Sequence, residues 1–108
     1  MTGIATITYC TDSFKADVVE ALDAERLRMS APTRERTLLQ FDAIGRNCWH
    51  AERATGEGDR VRHLIRAAYV CGKLGETFGR IRRDGWVSRS EALCRVIENC
   101  ITGEDAPV

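Results

Sequence analysis

The chain has 108 residues, in which 16 Lys and Arg balance 16 Asp and Glu, 44% are hydrophobic, 6% are aromatic and two are proline. That describes one domain over residues 1–108 with a modest core, a chain of this size hiding roughly two-thirds of its extended surface. A mean hydropathy of −0.28 excludes a membrane-spanning chain, and the aliphatic content excludes disorder. No apolar run follows a basic stretch near the start, so the expected location is cytoplasmic.

Residues 4–10, IATITYC, carry four β-branched residues in seven and predict a short N-terminal β-strand or extended arm over 1–10. No other segment reads as its partner, and an unpaired strand leaves backbone donors and acceptors unsatisfied. It would pair with a second copy, lie against helices as an arm, or not be a strand; the first of these predicts a homodimer. Thr11-Asp12-Ser13 offers capping oxygens for a first helix over about 13–29. Phe14, Val18, Ala21, Leu22 and Met29 share its apolar arc, with Asp17, Glu20 and Asp23 on an acidic exposed face.

Ser30-Ala31-Pro32-Thr33 stops that helix, and Pro32 suits the first turn of the next, over about 33–54. Leu38, Phe41, Ile44, Cys48, Trp49 and Ala51 form its predicted core face. Thr55-Gly56-Glu57-Gly58 is the clearest break. Asp59 then caps a long third helix, about 60–83. After the Asp84-Gly85 turn, Ser88-Arg89-Ser90-Glu91 reads as a capping box opening a fourth helix to about 102, which buries Ala92, Leu93, Val96, Ile97 and Cys100. The tail, 103–108, should fray. The expected fold is all-α, four helices behind the strand or arm.

The third helix holds two unusual features. Ala68, Gly72, Gly75 and Gly79 project within about 60° of one another. Interior glycines each cost about 1 kcal/mol against alanine. They imply a close helix–helix contact, either within the chain or across a dimer axis, unless the helix kinks near Cys71-Gly72. The second feature is charge: Arg62, Arg66, Lys73 and Arg80 line one face beside Tyr69, and Arg82, Arg83 and Arg89 crowd the following turn. Segment 60–95 holds nine basic and three acidic residues, whereas 1–59 and 96–108 are both net acidic. Such a stripe suits phosphates, because Arg presents a planar fork of donors. It equally suits an acidic protein surface, or it is solvated or paired with the acidic first helix.

Gly85-Trp86-Val87-Ser88-Arg89-Ser90-Glu91-Ala92-Leu93, running on to Val96 and Ile97, resembles the start of the second helix of ribbon-helix-helix repressors. Leu74, Phe78 and Ile81 are placed as that family's first helix would be, so the resemblance spans 74–97. It implies a dimer whose paired N-terminal strands read the DNA major groove, with backbone amides near Ser88 holding a phosphate. The family's strand would fall near 66–72, which reads here as helix; the strand candidate lies at 4–10.

Enzymatic chemistry is thinly supplied, and no catalytic residue is expected. The two histidines are His50 and His63; Cys48 and His50 point about 160° apart on a helix and form no local nucleophile–base pair. No metalloprotease, phosphate-loop or nucleophile-elbow motif is present. The five cysteines, Cys10, Cys48, Cys71, Cys94 and Cys100, are odd in number and lack a C-x-x-C pair, so neither a disulfide framework nor a zinc site is expected, and no cofactor. Two functions remain. One is a small prokaryotic-type regulator, transcriptional or plasmid-borne, that binds nucleic acid through Arg62, Arg66, Tyr69, Lys73, Arg80, Arg82, Arg83, Ser88 and Arg89. The other is a protein-binding module, an inhibitor or accessory subunit of a phage or other mobile element, docking on a larger acidic partner.

Overall fold

The computed structural model of the chain describes residues 3–103. Four helices follow one another: α1 (Ile4–Asp23), α2 (Ala31–Arg53), α3 (Glu57–Arg80) and α4 (Asp84–Thr102). The predicted tail, apart from Gly103, and the first two residues of the predicted arm lie outside the described residues.

The predicted strand is instead the start of α1. Its β-branched residues carry only a weak local preference, about 1 kcal/mol across the whole scale. Against that stands a seam continuing the apolar spacing backwards: Ile4, Ile7, Thr11, Phe14, Val18 and Ala21, separated alternately by three and four residues. Ile7, Phe14 and Val18 are fully buried, and burying one such side chain is worth about 1.5–3 kcal/mol. Thr11 does not cap a helix. It is buried, and its hydroxyl donates to the Ile7 carbonyl at 2.7 Å. With no strand among the described residues, the argument for a homodimer through paired strands falls away.

The other helices repeat the same alternation. The seams run through Thr37, Phe41, Ile44, Cys48 and Ala51 in α2, Leu64, Ala67, Cys71, Leu74 and Phe78 in α3, and Ser90, Leu93, Ile97 and Cys100 in α4. That is the spacing of helices packed nearly parallel or antiparallel, knobs into holes. Each helix buries one hydroxyl, in the seam for Thr11, Thr37 and Ser90 and beside it for Thr77, and each donates to the carbonyl four residues back: Thr11 to Ile7, Thr37 to Thr33, Thr77 to Lys73 and Ser90 to Trp86. Burial of these polar atoms therefore leaves no unmet hydrogen bond. Each helix also contributes one aromatic ring to the centre. Phe14 meets Phe41 edge-on at 5.0 Å and stacks with Phe78 at 5.9 Å and Trp86 at 5.8 Å.

Short connections and the cross-helix contacts give an up-down-up-down bundle. Lys15 reaches Asp42, Gln40 meets Thr77, Cys71 meets the Ser90 carbonyl, and Arg89 reaches Asp17. The helices stand in order around a square, α1 diagonal to α3, and α3 lies against its two neighbours over more of its length than α1 does. Ser30 accepts from the Thr33 amide at the start of α2, and Pro32 sits in its first turn as expected. α3 starts after Gly56 rather than at Asp59, and α4 starts at Asp84, so the predicted capping box lies inside α4. Two side chains assigned to core faces are exposed, Trp49 at 53% and Ala92. Both fall outside the three–four seams of their helices. Among the described residues, no helix is long and apolar enough to cross a membrane.

Candidate binding face on α2 and α3

The exposed surface of α3 is divided lengthwise. Thr77 and His63 contact Gln40 and Asn47 of α2, which fixes the side of α3 that borders α2. At 100° per residue, Arg62, Arg66, Tyr69, Lys73 and Arg80 fall on the outer surface next to that border. All five are exposed. They do not face the acidic α1, which lies diagonally across the bundle. Arg62 pairs with Asp59 and Lys73 with Glu76, one turn away on the same helix; Arg66 and Arg80 have no ion pair among the described residues.

The other half of that surface borders α4 and holds the small-residue strip. α3 continues through Cys71-Gly72 without a break. A Cβ on Gly75 would meet the Ser90 Cβ at 3.5 Å, whereas one on Gly72 or Gly79 would meet nothing within 4 Å. Only Gly75 therefore belongs to a close approach within the chain. Ala68 is half-buried, its carbonyl 3.9 Å from the Cys94 thiol. Gly72 and Gly75 form the wall of a groove that Cys71, Cys94 and Ser90 also line.

The remaining predicted residues separate. Arg82 and Arg83 are exposed at the α3–α4 turn and line one hollow of about 620 Å³ with Asp84, Gly85, Trp86 and Arg89. Arg89 is engaged within the bundle: its guanidinium donates to Asp17 at 2.5 Å and lies 4.8 Å from the Phe14 ring. Ser88 is exposed in the second turn of α4. The amides of Trp86 and Val87 already donate to the Arg83 carbonyl, so the phosphate site implied near Ser88 does not coincide with the start of a helix.

Across the border, α2 supplies side chains that the sequence reading left out. Leu39, Arg46 and His50 project from its outer surface, with Arg36 and Arg53 at the edges of the same arc. Arg36 and Arg46 have no ion pair among the described residues. Trp49 meets His50 edge-on with centroids 5.1 Å apart, and His50 stacks on His63 of α3, also at 5.1 Å. Three rings thus form a row crossing from α2 to α3. The Arg53 guanidinium lies 4.0 Å above Trp49, and the Lys73 ammonium lies 5.4 Å from the Tyr69 ring. Among the described residues, four of the five large hydrophobic side chains that remain exposed, Leu39, Trp49, Ile65 and Tyr69, lie on these two helices. The three–four seam of α2 was the signal that would have put Trp49 outside.

The comparisons are negative. No family model, curated protein or solved structure matches the chain.

The titratable groups differ between face and core. His63 is held below its usual pKa, first by desolvation and then by the charges of His50, Arg66 and Arg62. Burial pushes the Cys48 thiol up to about 11 and the Cys71 thiol to about 12, so neither supplies a thiolate near neutral pH. All five cysteines are unpaired. No three His, Cys, Asp or Glu side chains come together to hold a metal among the described residues. The arrangement offers cations, rings and hydrogen-bond donors on one surface, which is the equipment of binding.

Proposed function

We propose that the protein is a small nucleic-acid-binding regulator that engages its partner through the outer face of α2 and α3. The observation carrying this reading is the set of arginines without an ion pair among the described residues, Arg36, Arg46, Arg66 and Arg80, interleaved with Trp49, His50, His63 and Tyr69. The antiparallel register sets Arg36 toward Arg80, and Arg82 and Arg83 continue the positive surface round the end of the bundle. The arginines of such a surface displace the counterions condensed on a phosphate backbone, and the rings stack on bases. The exposed Leu39 and Ile65 favour the second reading, an acidic protein partner, because fully covered apolar anchors usually carry protein interfaces.

Fluorescence anisotropy against labelled oligonucleotides at two salt concentrations separates them. Four released counterions on a single strand give a log–log salt slope of about −3. The combined Arg46→Glu, Arg66→Glu and Arg80→Glu variant should lose binding while keeping its helical circular dichroism. Absence of binding by the unaltered protein at low salt would refute the nucleic-acid reading and leave the acidic protein partner.

A further inference from the structure

The form of nucleic acid follows from the width of the face and from where its rings lie. A helix enters the duplex major groove only if it stands clear of its neighbours, since the groove is about 12 Å wide. Here α2 and α3 lie side by side, each about 10–12 Å across with side chains and about 8–10 Å apart. The pair is roughly 20 Å wide, so a duplex could meet it only through phosphates. The rings would then contribute little, because the bases of a duplex are stacked on each other.

Trp49, His50 and Tyr69 are nonetheless exposed, with His63 half-buried, and each end of the set is matched with a cation. The row Trp49–His50–His63 crosses the helix pair with Arg53 over Trp49. Tyr69, 66% exposed, lies farther along with Lys73 beside it. From Arg62 to Arg80 the stripe extends about 27 Å along α3. Resting on the reading above, we infer that the ligand is single-stranded DNA or RNA. Its backbone follows the arginines along α3, and its unpaired bases stack on Trp49 and Tyr69. Stacking on π-faces that every base possesses predicts little sequence preference.

The test compares three labelled probes of equal length: a single-stranded oligonucleotide, its duplex, and an abasic single strand that keeps the phosphates and lacks the bases. The single strand should bind at least about tenfold more tightly than either of the others. Trp49→Ala and Tyr69→Ala should each weaken single-strand binding by at least about fivefold and leave duplex and abasic binding unchanged. Both side chains are exposed, and unchanged helical circular dichroism would confirm that the variants fold. Equal affinity for all three probes, or variants that weaken all three alike, would overturn the inference while leaving a charge-driven nucleic-acid binder. Failure of every probe to bind would overturn the underlying reading with it.

Discussion

Glu25 and Arg82 hold left-handed backbone, with φ of 59° and 58°. Each stands two residues past the end of a helix, where the chain closes with paired amides. Arg26 donates to the Ala21 carbonyl and Glu25 to Leu22; Arg83 donates to Phe78 and Arg82 to Gly79. This closure favours glycine, because a Cβ costs about 1–2 kcal/mol in that region. Glu25→Gly and Arg82→Gly should each raise unfolding free energy by about 1 kcal/mol in urea titrations; a loss would mean that the side chain itself stabilises the turn. At His63, folding lowers the pKa below 6.5, so the folded protein binds fewer protons than the unfolded chain. Stability is unpenalised above the unfolded value and should decline as pH falls through about 6.5. The decline should be shallower in His63→Gln. A bound polyanion offsets the same repulsion, so nucleic-acid affinity should rise over that pH window in the unaltered protein and stay flatter in the variant. A pH-independent affinity would remove His63 from the binding face.

At the scale of the element, the glycines of α3 have different consequences. Gly72→Ala and Gly79→Ala place a methyl in open space and should each stabilise the fold by about 0.5–1 kcal/mol, read from thermal or urea unfolding. Gly75→Leu should destabilise it, because the side chain would run into α4 at Ser90. A cost at Gly72 or Gly79 would mean that these positions are more crowded than the bundle shows. Much of this level was legible in the sequence. Pro32, the Thr55–Gly58 break and the stop near Thr102 mark real boundaries, since each acts through local backbone chemistry. The start of α1 was not legible from propensity, because Thr11 looks like a cap and Ile4 to Cys10 look like a strand. Only the three–four spacing, which reports burial, carries the helix through them. The same spacing decides the binding face: the stripe on α3 could be read from one helix, whereas Trp49 and His50 join it only once α2 lies beside α3.

For the whole molecule, the asymmetry of packing sets what opens first. α1 is the acidic helix and is tied to its neighbours partly by ion pairs, Asp17 to Arg89, Asp23 to Arg34 and Lys15 to Asp42. α3 is held closely on two sides, and Arg60 reaches across its base to the Cys100 carbonyl at 3.1 Å. Native-state hydrogen exchange should show α1 amides opening at lower free energy than those of α3. Arg89→Ala should cost about 1 kcal/mol and Asp17→Ala less. Arg89 also covers Phe14 and Trp86, whereas a half-exposed ion pair alone contributes a few tenths of a kcal/mol. Equal losses would assign the whole effect to the pair. The net charge of zero conceals this division, with an acidic helix on one corner of the bundle and a basic, ring-bearing pair facing away from it.

The central claim is that the outer face of α2 and α3 is where the protein meets its partner. Titrating the ¹⁵N-labelled protein with a short single-stranded oligonucleotide and following backbone and Trp side-chain NMR signals tests it directly. Shifts are expected at Arg36, Arg46, Trp49, His50, His63, Arg66, Tyr69, Lys73 and Arg80, with the outer residues of α1 and α4 unmoved. Shifts centred on the α1–α4 side, or no shifts at saturating oligonucleotide, would contradict it.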